Sequence, residues 1–123
     1  MCIFCQLAVE QKKFIKENSS FYVIFDRYPV TKGHILIVSK RHVEDYFSLR
    51  DEEKVDLDRL ISQMKVYLDE EFSPDGYNIG INNGREAGQT ILHFHLHLIP
   101  RYRGDTSDPR GGVRGVIADK QKY

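Results

Sequence analysis

Three of the chain's five histidines, His93, His95 and His97, alternate with Phe94, Leu96 and Leu98. A period of two puts the imidazoles on one face of a β-strand and the apolar residues on the other. The fold must therefore supply a core on one side of this strand and a face for three nitrogen bases on the other. Successive imidazoles stand roughly 7 Å apart along the backbone. Two chemistries suit such a row. The rings can ligate zinc directly, or one ring can be a nucleophile while its neighbours donate hydrogen bonds and manage protons. In the second case His95, with a histidine on each side, is the candidate nucleophile, provided its far nitrogen is held in one tautomer, often by a backbone carbonyl. Gly88, Gln89 and Thr90 precede the strand and offer N–H groups, an amide and a hydroxyl as phosphate donors. Chance clustering on a solvated face is the plainer alternative.

The rest of the chain must fold around that strand. Phe21 to Phe25 reads as a strand closing at Asp26, and a second runs from about His34 to Val38, with Pro29 and Gly33 in the turn between them. Helix signals begin near Ser48 to Asp51, with Glu52 and Glu53 in the first turn. Leu57, Leu60, Ile61, Met64 and Leu68 then form one apolar stripe, and Ser73-Pro74-Asp75-Gly76 ends the helix. A third strand spans Tyr77 to Ile81. The polar loop from Asn82 to Gln89 leads to the fourth, Ile91 to Ile99, stopped by Pro100. Residues 101–123 read as an irregular tail. Strands grouped around one long helix predict an α+β fold, with an antiparallel sheet covered on one face. With no repeat or linker, 1–123 is expected to be a single domain.

Charge narrows the partner. Lys plus Arg and Asp plus Glu both number 18, a formal net charge of zero. Gripping a nucleic-acid polymer needs a basic excess; a mononucleotide needs only a few aimed donors. The acidic excess lies in residues 44–72, read as an exposed helix face, between two mildly basic ends. No apolar run approaches a membrane span, and no basic-then-hydrophobic leader opens the chain, so the expected setting is cytoplasmic.

The segment His93-Phe94-His95-Leu96-His97-Leu98-Ile99 resembles the signature of the histidine triad (HIT) family of nucleotide hydrolases and transferases. Asn82 to Thr90 resembles that family's approach loop, and Pro100-Arg101 its exit. Phe25-Asp26, Pro29 and Gly33-His34-Ile35-Leu36-Ile37-Val38 resemble its ribose-contact strand and Gly-His strand. Together these span most of residues 2–103. The resemblance implies a HIT-like α+β fold: about five antiparallel strands, one long helix and a short N-terminal helix, with a homodimer sharing one continuous sheet. It implies attack on the α-phosphate of a nucleotide, with His95 as the nucleophile forming a nucleotidyl-histidine intermediate. His97 would serve the phosphate or leaving group, and His93 and His34 would support the site. Asp26 would accept from ribose hydroxyls, and Asn82, Gly88, Gln89 and Thr90 would surround the phosphate. Dinucleoside polyphosphates and adenosine 5'-phosphoramidates are the expected substrates; Arg101 and Arg103 lean toward the polyphosphates. No organic cofactor is expected.

Cys2 and Cys5, the only cysteines, form a C-x-x-C pair. Buried thiols, a redox pair and half of a zinc site all fit that spacing. A closed zinc site needs two further ligands, and His42 and His93 are the candidates. The resemblance to bacterial members with this C-x-x-C implies a structural zinc at Cys2, Cys5, His42 and His93. Two other functions stay open: a metallohydrolase with catalytic zinc on the histidine row, and a non-catalytic nucleotide sensor.

Overall fold

The computed structural model describes residues 2–10 and 14–123. Helices α1 (Ile3–Glu10) and α2 (Asp51–Phe72) accompany strands β1 (Lys16–Glu17), β2 (Phe21–Phe25), β3 (Ile35–Ser39), β4 (Gly76–Ile81) and β5 (His95–Arg101). The strands form one antiparallel sheet in the order β1-β2-β3-β5-β4. The α+β expectation holds, and the histidine strand lies inside the sheet, paired on both sides.

Alternation along β5 divides the sheet's faces. Leu96 and Leu98, with Phe94 just before them, join Phe21, Val23, Ile35 and Ile37 in a core closed by Leu57, Leu60, Met64 and Leu68 of α2. Each such side chain contributes about 1.5–3 kcal/mol of burial. The first turn of α2 carries Asp51, Glu52 and Glu53 against the positive end of the helix dipole. Glu53 also accepts from the Arg50 N–H at 2.8 Å and takes the Arg41 guanidinium at 2.7 Å, which ties the segment carrying His42 to the helix. Ser73, in the left-handed region at φ 51°, ends α2 just before Pro74.

Three expectations change. The sheet is covered on both faces, because α1 lies over the histidine side, where Phe4, Tyr22, Leu36 and Val38 form a second cluster. The histidine strand runs His95–Arg101 rather than Ile91–Ile99. Before it, the His93 N–H donates to the Ile91 carbonyl (2.9 Å) and the Phe94 N–H to the Val43 carbonyl (2.6 Å), so the chain bends there and its backbone stays tied to β3 through the Phe94 carbonyl, which accepts the Ser39 N–H at 3.3 Å. Pro100 sits inside the strand without penalty. Its carbonyl faces the Thr31 hydroxyl on the side away from β4, so the missing N–H removes no β4 ladder bond. Finally, the tail is not wholly irregular: it contains 3₁₀ turns at Gly112–Val116 and Ala118–Lys120.

Candidate functional site

Val38 pairs with His95 and Leu36 with His97, which makes β3 an apolar floor beside the row. On the other side Gly80 pairs with His97, and a Cβ there would meet nothing within 4 Å, so that flank is open. His95 and His97 remain partly exposed, whereas His93 is fully buried.

Each ring's hydrogen bonds fix where its free nitrogen points. His95 Nδ1 lies 2.8 Å from the His93 carbonyl, an acceptor only, so Nδ1 carries the proton and Nε2 keeps a lone pair. The next pair is set from the β2–β3 turn. The Val30 N–H donates to His34 Nδ1 at 3.0 Å, which leaves the His34 proton on Nε2. His34 Nε2 stands 3.0 Å from His97 Nδ1 and donates to it, so His97 holds its own proton on Nε2. The row thus presents a bare nitrogen on His95 beside an N–H on His97, with ring centroids 5.3 Å apart.

That turn is tightly specified. Gly33 has φ 86°, and a Cβ on it would lie 2.9 Å from the Phe72 ring, so only glycine fits. Asp26 accepts the Tyr28 N–H through Oδ1 at 2.8 Å. Its Oδ2 lies 3.4 Å from His34 Nε2 and 3.9 Å from His97 Nδ1. Burial pulls the His97 pKa down to about 4, with the neighbouring His95 and His34 adding to the effect and Asp26 opposing it. Burial lowers that of His34 as well, again against Asp26. Both rings are therefore neutral near pH 7. Asp26, His34 and His97 converge closely enough for a metal, but the proton on His34 Nε2 makes this cluster a hydrogen-bond relay.

At the other end the donors converge differently. Cys2 Sγ lies 3.6 Å from His42 Nδ1 and 3.3 Å from His93 Nδ1, Cys5 Sγ lies 3.1 and 3.5 Å from the same atoms, and the two Nδ1 atoms are 3.0 Å apart. A tetrahedral zinc has edges of about 3.6 Å for S···N and 3.3 Å for N···N, given its usual bond lengths. The His93 Nε2–H donates to the Ser39 carbonyl at 2.7 Å, which turns the Nδ1 lone pair into the cluster. Burial and the neighbouring Cys2 push the Cys5 thiol up, so a thiolate pair there calls for a cation. Donor chemistry and spacing both fit zinc.

The loop residues divide. Gln89 is 3% exposed, and its amide is committed to backbone: Oε1 accepts the Gly84 N–H at 2.8 Å, while Nε2 donates to the Glu44 and Ile91 carbonyls at 2.6 and 3.1 Å. Its side chain pins the approach loop and has no donor left for a phosphate. Thr90 and Gly88 are exposed, and Asn82 is half-buried one residue past the Ile81–Leu96 pair. Arg101, expected near extra phosphates, forks onto Asp105 (2.8 Å twice) and reaches Asn78 (2.7 Å), so it fastens the tail to β4. Three contributors escaped the sequence reading. The Val30 N–H and the Ser39 carbonyl are backbone groups with no side-chain signal. Phe4, which packs 5.0 Å from the His95 ring, was readable only from its place inside the C-x-x-C.

A family model described as the HIT domain matches residues 8–104. The structure of a HIT family protein from Bacillus anthracis is 39% identical, with a TM-score of 0.79 over 85% of this chain and 75% of that one. A Zn-bound histidine triad family protein from Mycobacterium smegmatis is 33% identical, with a TM-score of 0.77 over 87% and 79%. The bis(5'-nucleosyl)-tetraphosphatase (asymmetrical) of Schizosaccharomyces pombe is 36% identical over 80 residues, covering 65% of this chain and 44% of that enzyme. No helix among the described residues is long and apolar enough to cross a membrane.

Proposed function

The chain belongs to the HIT domain family, and from that premise we propose that it is a nucleotide hydrolase or nucleotidyl transferase that attacks the α-phosphate of a purine nucleotide through His95. The observation that carries this reading is the opposed tautomers of His95 and His97. His95 Nε2 brings a lone pair to phosphorus; the bond from phosphorus to the leaving group breaks, and that group departs with its electron pair. The His97 Nε2–H hydrogen-bonds the departing oxygen or the phosphoryl oxygens as charge builds there. Water then attacks the nucleotidyl-histidine and gives up a proton to solvent, the P–N bond breaks, and His95 recovers its lone pair. If inorganic phosphate replaces water, the same intermediate gives transfer.

The neutral His97 favours leaving groups that depart as stable anions, hence dinucleoside polyphosphates over phosphoramidates, whose amine must gain a proton. Arg101 adds nothing to that preference, because its guanidinium is occupied by Asp105. The likeness to the Schizosaccharomyces pombe tetraphosphatase points the same way. Asp26 Oδ2 serves as ribose acceptor, half-buried Leu7 and Ile24 offer apolar surface to the purine, and Asn82, Gly88 and Thr90 flank the phosphate.

Cys2, Cys5, His42 and His93 hold a structural zinc in this reading, in keeping with the Zn-bound relative. When bound, the ion supplies folding energy by fastening α1 to the sheet. A catalytic zinc on the row is disfavoured: the Nδ1 atoms of His93, His95 and His97 point to the cysteine cluster, a carbonyl and His34 respectively. The homodimer places a second copy along the free edge of β4, where Ile79 is half exposed. Cytoplasmic residence completes the reading.

The test is a substrate panel of diadenosine tetraphosphate and adenosine 5'-phosphoramidate, with wild type and His95→Asn side by side. The variant is expected to lose at least about a thousandfold in kcat, together with the acid-labile labelled adduct that the wild type forms from α-32P substrate. Equal rates would overturn the mechanism. Nucleotide binding without turnover in wild type would leave only the sensor.

A further inference from the structure

We propose that Phe4 is a positioning residue for the His95 ring, clamped by the metal-ligating cysteines on either side of it. The inference rests on the reading of His95 as the attacking group and of the cysteine cluster as a zinc site. Phe4 lies between Cys2 and Cys5 and is the one buried side chain of the eight-residue α1. Its ring meets His95 at 5.0 Å between centroids and His93 at 5.7 Å. Its carbonyl accepts the Tyr22 hydroxyl at 2.6 Å, which sets the height of α1 over the sheet.

These contacts close the remaining freedom of the nucleophile. The His95 ring is tied at Nδ1 to the His93 carbonyl and flanked by His97 on one side and Phe4 on another. Without Phe4 the ring can turn away from the orientation that aims Nε2, and a misaimed nucleophile lowers the chemical step more than binding. A helix this short has little stability of its own, so the bonds from Cys2 and Cys5 to the ion keep Phe4 in place. His93 makes the second connection: its ring enters the cluster while its carbonyl holds His95. The metal centre thereby acts on the nucleophile from both sides, through Phe4 and through His93.

Phe4→Leu separates this role from plain packing or base contact. Expected are unchanged zinc content, KM within about twofold, and kcat down by roughly tenfold to a hundredfold. On 15N-histidine spectra the His95 ring should lose its single Nδ1–H tautomer and give averaged signals. Cys2→Ser/Cys5→Ser should produce the same His95 signature with Phe4 intact. A Phe4→Leu enzyme with wild-type kcat, one that raises KM alone, or a cysteine variant with an unchanged His95 spectrum would overturn the proposal. If Leu prevents folding, Phe4→Met, apolar but without the ring, is read by the same criteria. An active His95→Asn would instead defeat the catalytic reading; an inactive one beside a normal Phe4→Leu defeats this inference alone.

Discussion

Two clusters of histidine flank His95, one built from His42 and His93 with Cys2 and Cys5, the other from His34 and His97 with Asp26. Their ingredients are similar, and both are close enough to hold a cation, yet the backbone gives them opposite roles. At His93 a carbonyl takes the Nε2–H, so a bare nitrogen faces the sulfurs. At His34 an N–H fills Nδ1, so the ring passes a proton-bearing nitrogen toward His97. What an imidazole does is decided by what holds its other nitrogen. The row thereby presents three differently aimed rings in sequence: His93, just before β5, turns a bare Nδ1 to the sulfurs, His95 keeps a bare Nε2, and His97 carries an Nε2–H.

The contrast can be broken at either end. Removing the metal end has the largest expected effect on folding. Cys2→Ser/Cys5→Ser should bind less than about 0.2 equivalents of zinc and lose about 3 kcal/mol or more, lowering Tm by roughly 10 °C or more. A fully stable, zinc-free variant would mean that the cluster is an ordinary pair of thiols.

Breaking the relay should leave the metal alone. His34→Leu is expected to retain one zinc per chain while kcat falls about tenfold to a hundredfold, since His97 loses the donor that fixes its tautomer. Loss of zinc in this variant would show that the two ends are not separate sites.

The smallest effect sharpens the difference through pH. The His97 pKa is held at about 4, below the ordinary 6.5, so between these values the unfolded chain binds more protons than the folded one. The stability this ring contributes is complete above about pH 6.5 and is lost as pH falls toward 4; His34 acts in the same direction. Thermal melts should show Tm falling by about 5 °C between pH 7 and pH 5 from this source. His97→Gln should flatten that slope, and an equal slope in both proteins would remove the relay from the account.

Much of this was legible because side chains carried it. The bounds of β2 and the stripe of α2 followed from pattern, as did the two faces of β5, since period and burial agree there. β1 was invisible: two exposed charged residues, Lys16 and Glu17, have no alternation to read. His93 belonged to the row by spacing but not to the strand, because the bend at 91–94 is made by backbone bonds to Ile91 and Val43. Gln89 and Arg101 have the right chemistry for phosphate, and only their partners show that it is spent on holding loop and tail. The tautomers depend on the Val30 N–H and on the carbonyls of Ser39 and His93, groups every residue possesses and no composition reveals.

The most direct measurement is 15N NMR of histidine-labelled, zinc-loaded protein at pH 8, which reads the protonated nitrogen of each ring. The hydrogen-bond pattern requires Nδ1–H on His95 and Nε2–H on His34, His93 and His97. A proton on Nε2 of His95, or on Nδ1 of His34, would contradict it.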